Sequence, residues 1–255
     1  MVKIFLNGCC GRMGKTIAAM CKTSDDFRVV AGCDVITSDE LGFPVFTNPN
    51  DCDVEFDAII DFSNAKAVPM ITQFAISSGK PFVCCTTALP DETVSMILDA
   101  SKEVPVFKSA NMSYGMNVMF ELVRQATKAL FPASDIEIVE AHHNRKLDAP
   151  SGTALMIAEV ISQETDHQLE YVYERHSKNE PRGKKELGIS SIRGGNIVGE
   201  HEVMFISDEE IVKISHSAQT RDVFARGALT AAAFLVNKQP GYYSMQDIVA
   251  EAFNK

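Results

Sequence analysis

Lys3-Ile4-Phe5-Leu6-Asn7-Gly8-Cys9-Cys10-Gly11-Arg12-Met13-Gly14 is the stretch that decides the fold of this chain. Lys3 to Leu6 is apolar and short and predicts a strand, and Lys15 to Cys21 predicts the helix that follows. Between them Gly8, Gly11 and Gly14 follow G-x-x-G-x-x-G. In this variant of the dinucleotide fingerprint, glycine frees the turn, lets backbone approach a pyrophosphate and allows close helix packing. The next predicted strand, Phe27 to Cys33, ends at Asp34, where an acid can accept hydrogen bonds from the adenine-side ribose. Asp34 repels a 2′-phosphate and Val35 offers no cation to clamp one, so the reading leans to NADH. Arg12 is placed to reach a phosphate from the glycine turn and leaves NADPH open.

The same rhythm continues downstream. Ala58 to Phe62 predicts a strand, Ser63-Asn64 a helix cap, and Ala65 to Ser78 a helix. Pro81 to Cys85 is a strand candidate before Thr86-Thr87-Ala88, Asp91 to Lys102 is helical, and Val104 to Lys108 is a strand running into Ser109-Ala110-Asn111-Met112. Alternation of this kind predicts an α/β fold with a parallel, doubly wound sheet whose ligands lie at the carboxyl ends of its strands. Thr86, Thr87, Asn111 and Met112 fall there, with a hydroxyl-capped turn and a core methionine as the plain alternatives.

A long helix, Asn117 to Leu130, and a strand, Asp135 to Glu140, lead into Glu140-Ala-His-His-Asn-Arg-Lys-Leu-Asp-Ala-Pro-Ser-Gly-Thr-Ala154. Pro150 blocks helix upstream, Ser151 is a good N-cap, and Gly152 and Thr153 present backbone N–H groups at the start of a helix Thr153 to Ile161, which suits a carboxylate or phosphate. Histidine is the side chain type that titrates near neutral pH, so His142 and His143 suit proton chemistry, and Lys146 adds a fixed positive charge. Adjacent histidines at a strand end point to opposite faces and have no i, i+4 His or Cys partner, so a metal site is not expected, and Glu140 makes a poor third ligand. Strand candidates follow at Tyr171 to Tyr173, Ile189 to Arg193, His201 to Ile206 and Ile211 to Ser217. Their short connections predict a second, α+β domain with an open mixed or antiparallel sheet. The charged run His176 to Lys185 reads as a solvated loop. Helices at Arg226 to Val236 and Met245 to Phe253 should return to the first domain. Residues 1–114 and 222–255 are thus expected to form a discontinuous dinucleotide-binding domain, and 115–221 a substrate-binding and oligomerisation domain.

Composition narrows the function classes. The net charge of −10 and a pI near 5.1 disfavour nucleic acid and anionic membrane as partners, so an anionic ligand needs a local basic site. No stretch approaches the roughly 20 apolar residues of a membrane span, nor does the N-terminus carry a secretory apolar region, and a cytoplasmic protein is expected. The cysteines, Cys9, Cys10, Cys21, Cys33, Cys52, Cys84 and Cys85, show neither a disulfide framework nor C-x-x-C spacing and read mostly as small buried hydrophobes.

These motifs, with Arg193-Gly-Gly-Asn-Ile-Val-Gly-Glu-His201, resemble the dihydrodipicolinate reductase (4-hydroxy-tetrahydrodipicolinate reductase) family over nearly the whole chain. The resemblance implies a Rossmann-type domain, a second domain whose sheet forms a homotetramer, and reduction of a cyclic unsaturated dicarboxylate by NADH or NADPH in lysine and diaminopimelate biosynthesis. It makes His142 and Lys146 proton donors, and His143, Ser151, Gly152, Thr153 and Arg221 substrate contacts. Cofactor contacts would be Gly8, Cys9, Cys10, Gly11, Arg12, Met13, Asp34, Cys85, Thr86, Thr87, Ser109, Ala110, Asn111 and Met112. This sequence departs from the family at Cys85 and Ala88, where the family's turn reads Gly-Thr-Thr-Gly, and at Met112, where it reads Phe. Two alternatives remain: another two-domain nicotinamide dehydrogenase of amino-acid metabolism, and a non-catalytic dinucleotide-binding redox sensor.

Overall fold

A computed structural model describes residues 1–253. The chain divides into two compact units, one made of Met1–Tyr114 together with the chain from Asp222 onward, the other of Gly115–Arg221. The first unit begins β1 (Val2–Asn7), α1 (Arg12–Lys22), β2 (Phe27–Cys33), β3 (Val45–Phe46), β4 (Ala58–Asp61), α2 (Val68–Ser78), β5 (Phe82–Cys84), α3 (Asp91–Ala100) and β6 (Pro105–Lys108). The second contains α4 (Tyr114–Leu130), β7 (Asp135–His142), α5 (Gly152–Glu164), β8 (Glu170–Val172), β9 (Glu186–Arg193), β10 (Gly199–Ile206) and β11 (Ile211–Ala218). The chain returns through α6 (Asp222–Leu235), β12 (Gly241–Tyr243) and α7 (Met245–Phe253).

The first unit's sheet is parallel throughout, in the order β12-β6-β5-β4-β1-β2-β3. Its central strands are buried on both faces, which explains runs such as Ile4-Phe5-Leu6 and Ala58-Ile59-Ile60 with no polar alternation. One side holds Phe5, Phe56 and Phe74, with ring centroids 5.0–5.7 Å apart. The other side packs Ile4, Leu6 and Ile60 against α1 and α6. Small residues let α6 come close: a Cβ on Gly227 would lie 1.7 Å from the Met112 carbonyl oxygen. The returning helices thus complete this unit's core, and β12, which the sequence pattern did not reveal, extends its sheet along β6.

Several boundaries differ from the sequence expectation. Helix α1 starts at Arg12 rather than Lys15, because the glycine turn runs straight into it with Gly11 as N-cap. Helix α2 starts at Val68, and its N-cap is Ala67, without a side-chain cap, rather than Ser63-Asn64. Ser63 is drawn away by a buried acid: its hydroxyl donates to Asp61 Oδ1 at 2.5 Å, while Asn64 Oδ1 accepts the Lys66 N–H in a local turn. Helix α4 begins at Tyr114, three residues before the expected Asn117.

The second unit has a mixed sheet, β11-β10-β7-β9-β8. Strand β10 is antiparallel to both β11 and β7, whereas β7-β9 and β9-β8 are parallel. Met116, Phe120 and Val123 of α4 and Ile157 and Ile161 of α5 share a core with Ile138, Ile189 and Val203 of the sheet.

Ala88, in the turn after β5, has φ +54°. An L-residue there costs about 1–2 kcal/mol, part of which glycine would give back as unfolded-state entropy. Ala88→Gly should therefore raise the unfolding free energy by about 0.5–1 kcal/mol in urea titrations; an unchanged or lower midpoint would refute strain at this turn.

Candidate active site

In the first unit, the carboxyl ends of β1, β2 and β4 meet around the glycine turn. Gly8 has φ +78°, and a Cβ there would lie 2.6 Å from the Phe62 carbonyl oxygen. A Cβ on Gly14 would lie 2.3 Å from the Gly8 carbonyl oxygen, so the helix can sit on the turn only if this residue is glycine. The N-terminus of α1 carries no side-chain cap and no acid in its first turn, which suits an anionic ligand. Asp34 is held by the Cys10 N–H on Oδ2 at 2.9 Å and the Val35 N–H on Oδ1 at 2.8 Å. Gly8, Cys10, Gly11, Asp34, Ile36 and Phe62 line part of a cavity of about 340 Å³ whose walls include no lysine or arginine. Turn, helix end, acid and cavity together fit a nicotinamide dinucleotide. Arg12 is exposed in the first turn of the helix and Met13 is half-buried beside it.

The remaining predicted cofactor residues are placed less uniformly. Cys85 and Met112 are buried in the first unit's core, so their side chains serve packing. Thr86 spends its hydroxyl on Asp61 Oδ2 at 2.6 Å and receives Lys108 Nζ on its carbonyl at 3.0 Å, whereas Thr87 is exposed. Ser109, Ala110 and Asn111 form an accessible loop after β6 in which Ser109 donates to the Asn111 carbonyl and Asn111 Oδ1 accepts the Ser113 N–H. The residue that sequence reasoning missed here is Asp61. It has no solvent exposure and gathers Asn7, Ser63 and Thr86. Burial raises its carboxyl above the ordinary value, although these donors oppose that shift.

In the second unit, the decisive side chain is Glu140, fully buried on β7. Two residues along a strand share a face, so Glu140 and His142 point the same way. His142 Nδ1 lies 2.6 Å from Glu140 Oε2. Arg193, paired beside His142 in the parallel β7-β9 register, clamps the carboxylate with Nη1 on Oε2 at 2.9 Å and Nη2 on Oε1 at 2.7 Å. The Ser151 N–H donates to Oε1 at 3.2 Å. Burial works to raise the Glu140 carboxyl, but the bonds from Arg193, Ser191 and His142 outweigh it and hold it at about 2. Glu140 is therefore ionised and His142 Nδ1 carries the hydrogen of that bond, which leaves Nε2 as the ring nitrogen not engaged by the acid. A Cβ on Gly199 would lie 3.1 Å from Nε2, so glycine keeps this edge of the ring clear.

Ser151 caps α5 as expected, accepting the Ala154 N–H at 3.1 Å. Its hydroxyl also bonds His201 Nε2 at 3.1 Å and is only 1% exposed, so a ligand cannot readily reach it. Gly152 is exposed with open space at its Cα, and Thr153 is half-buried, so the backbone at this helix start is more accessible than the serine side chain. His143 is half-buried; burial lowers its proton affinity first, and the cations Arg145, Arg221 and Lys146 with His142 lower it further. Lys146 pairs with Asp148 at 2.9 Å. Arg221 is exposed at the end of this unit. The loop after Arg193 wraps the histidines: the Gly194 N–H donates to the His142 carbonyl at 2.9 Å, and Arg145 donates to Asn196 Oδ1 at 3.0 Å.

Glu140, Arg193 and His201 were not singled out as site residues by sequence reasoning. The i, i+2 spacing of Glu140 and His142 was the available signal for the first. His201 sits edge-on to His142 with ring centroids 5.2 Å apart. Burial, and next the charge of His142, push it down to about 4.

Comparison with known proteins places the chain in a family. The family model "Dihydrodipicolinate reductase, N-terminus" matches residues 2–112, and "Dihydrodipicolinate reductase, C-terminus" matches 115–249. The 4-hydroxy-tetrahydrodipicolinate reductase of Caldanaerobacter subterraneus subsp. tengcongensis is 49% identical over 249 residues, covering 98% of each chain. The enzyme of that name from Clostridium perfringens is 41% identical over 251 residues, also covering 98% of each. Among solved structures, a dipicolinate-bound dihydrodipicolinate reductase from Paenisporosarcina sp. TG-14 shares the fold with TM-score 0.81 at 22% identity, over 97% of this chain and 99% of that one. The chain belongs to the dihydrodipicolinate reductase family and is an oxidoreductase.

The depressed His201 makes stability depend on pH. A histidine with an ordinary value of 6.5 held at about 4 takes up a proton more readily when unfolded. Its contribution is complete above pH 6.5 and is lost as pH falls through 4. Urea titrations across this window should show stability dropping with acid, and His201→Asn should make the drop shallower. An identical slope in the variant would show that His201 is not the titrating group.

Proposed function

We propose that this chain reduces 4-hydroxy-tetrahydrodipicolinate, a cyclic dicarboxylate that loses its hydroxyl as water, to tetrahydrodipicolinate, with the proton donor and the anion cradle both in the second unit. The observation that carries the reading is the buried Glu140–His142 pair beside the N-terminus of α5. A reduced nicotinamide dinucleotide, when bound at the glycine turn, supplies the hydride. The chain's own residues do the rest. Glu140 fixes His142 with Nδ1 as donor, so that the imidazolium, carrying a second hydrogen on Nε2, delivers that proton to the ring carbon that gains charge and returns to the neutral Nδ1–H form. The backbone N–H groups of Gly152 and Thr153 hold one carboxylate, while Lys146, His143 and Arg221 serve the other and supply the local positive field. Lys146 must exchange Asp148 to do so. An ion pair whose acid side chain is 58% exposed is worth about 0–1 kcal/mol, so the exchange is cheap.

NADH is the preferred cofactor in this reading. The support is Asp34 at the ribose end, Val35 exposed beside it, and cavity walls with no cation to meet a 2′-phosphate. The alternative two-domain dehydrogenases include a semialdehyde type that needs a catalytic cysteine, and all cysteines of this chain lie in its first 85 residues. A redox sensor does not require a buried carboxylate to orient a histidine.

Homotetramer formation through the second unit's sheet is part of the proposal. Val139, Ala141, Glu200, Glu202 and Ile192 line a shallow depression of about 360 Å³ there, and Ile192 is 52% exposed. Sedimentation should give a mass near four chains, and a monomer would remove this element.

The decisive assay mixes the protein with freshly condensed pyruvate and aspartate semialdehyde and follows oxidation of NADH or NADPH. Turnover is expected with both and a higher kcat/KM with NADH; absence of turnover with either cofactor defeats the reading. His142→Gln should cut kcat by about 10²–10⁴-fold while NADH binding persists. Glu140→Gln should also lower kcat and shift its pH profile, since the imidazole loses its carboxylate partner. Wild-type turnover in His142→Gln would remove that residue as the acid.

A further inference from the structure

Cys9 and Cys10 are unused by the proposed chemistry except through their backbone, yet their side chains are not scattered. Cys9 Sγ, Cys10 Sγ and a carboxylate oxygen of Asp34 all lie within 4.8 Å of one another. We propose that Cys9, Cys10 and Asp34 bind a thiophilic divalent cation of the Zn²⁺ and Cd²⁺ class, at the ribose end of the dinucleotide cavity, so that cation and dinucleotide exclude each other.

The chemistry of the donor set points to this class of ion. Two thiolates and one carboxylate make a three-ligand site with room for water as the fourth, and soft sulfur selects Zn²⁺ or Cd²⁺ over Mg²⁺ or Ca²⁺. In a tetrahedral site with metal–sulfur bonds of about 2.3 Å, the sulfurs stand about 3.8 Å apart. Ligand atoms already within 4.8 Å need about an ångström of side-chain rotation.

The present partners of these groups are easily given up. Cys9 Sγ has a long contact to the Cys33 carbonyl at 3.7 Å, and Cys10 Sγ one to the Ile36 carbonyl at 3.5 Å. A thiol is a weak donor, so little is lost when they break. Asp34 is better held, by one backbone N–H on each oxygen. Each oxygen keeps a lone pair, so the carboxylate is oriented without being saturated. Gly32 lies under Cys9, and a Cβ there would be 2.8 Å from the sulfur, so glycine is what lets the Cys9 side chain sit at this place. Binding releases two thiol protons to solvent as two metal–sulfur bonds form, and nothing is oxidised or reduced.

The exclusion follows from sharing. Cys10 and Asp34 both line the cavity of about 340 Å³, and Asp34 is the residue proposed for the ribose hydroxyls. That half of the inference rests on the dinucleotide reading; the cation site itself does not. No C-x-x-C spacing announces it, because the third ligand comes from the end of a neighbouring strand.

The test is a Cd²⁺ titration of the whole protein, kept reduced with a phosphine, following the ultraviolet thiolate-to-cadmium charge-transfer band. One Cd²⁺ per chain should bind, Cys52→Ser should leave the band unchanged, and Cys10→Ala and Cys9→Ala should each weaken binding by about tenfold or more. Circular dichroism of each variant establishes that it is folded. No band in the wild type, or an undiminished band in a folded Cys10→Ala, overturns the site. NADH binding is measured separately by its fluorescence on metal-free protein. If NADH binds there, it should also displace Cd²⁺, and failure to do so overturns the exclusion. If NADH does not bind, it is the dinucleotide reading that falls, and the cation site is decided by the cysteine variants.

Discussion

A carboxylate with no access to water must be balanced from within, and much of the second unit's site follows from how Glu140 meets that requirement. Leaving such a charge unpaired costs several kcal/mol. Among its partners are three residues: Arg193 through both terminal nitrogens, Ser151 through its backbone N–H and His142 through its ring. Each comes from a different piece of chain. Arg193 requires the parallel β7-β9 register, Ser151 requires α5 to start where it does, and His142 requires β7 to run two residues past Glu140. Removing the acid would therefore leave Arg193, the Ser151 N–H and His142 Nδ1 without the acceptor they share.

The first unit solves the same problem with the opposite outcome. Asp61 is as buried as Glu140, but its partners Asn7, Ser63 and Thr86 are neutral. Neutral donors do not outweigh desolvation, and its carboxyl moves up where that of Glu140 moves down. The cation at hand, Lys108, binds the Thr86 carbonyl. Asp61 ties the end of β4 to the turn after β5 and, through Asn7 and Ser63, helps shape the cavity wall.

Most of the architecture was legible in the residues. Buried parallel strands read as unbroken apolar runs, and the spacing of Gly8, Gly11 and Gly14 has few structural uses other than a tight turn under a helix. What escaped were features whose cause lies far off in the chain. Ser63-Asn64 is a convincing cap locally, yet Asp61 takes the hydroxyl. Strand β12 is three residues long and exists only because β6 offers an edge. In the site, the histidines and the helix start were visible, whereas Arg193 and His201 reach Glu140, His142 and Ser151 only through pairing of β7 with β9 and β10. Ser151 reads from its position as a helix cap and ligand contact, and in the structure its hydroxyl caps α5 and bonds His201.

A chain with a net charge of −10 holds its proposed anion site by arrangement rather than by total charge. At physiological ionic strength, charges more than about 8 Å away are largely screened, so the acidic surface at large has little voice at His143. What acts there are Arg145, Lys146 and Arg221, all of which disfavour a proton on that ring. Asp148, the acid nearest to Lys146, is on the exposed side of the turn. Arg193, by contrast, is neutralised by Glu140, and His201 is kept uncharged by burial. The site thus separates its charges by task. The buried ones cancel and fix geometry, while the accessible cations are left uncompensated enough to meet a carboxylate.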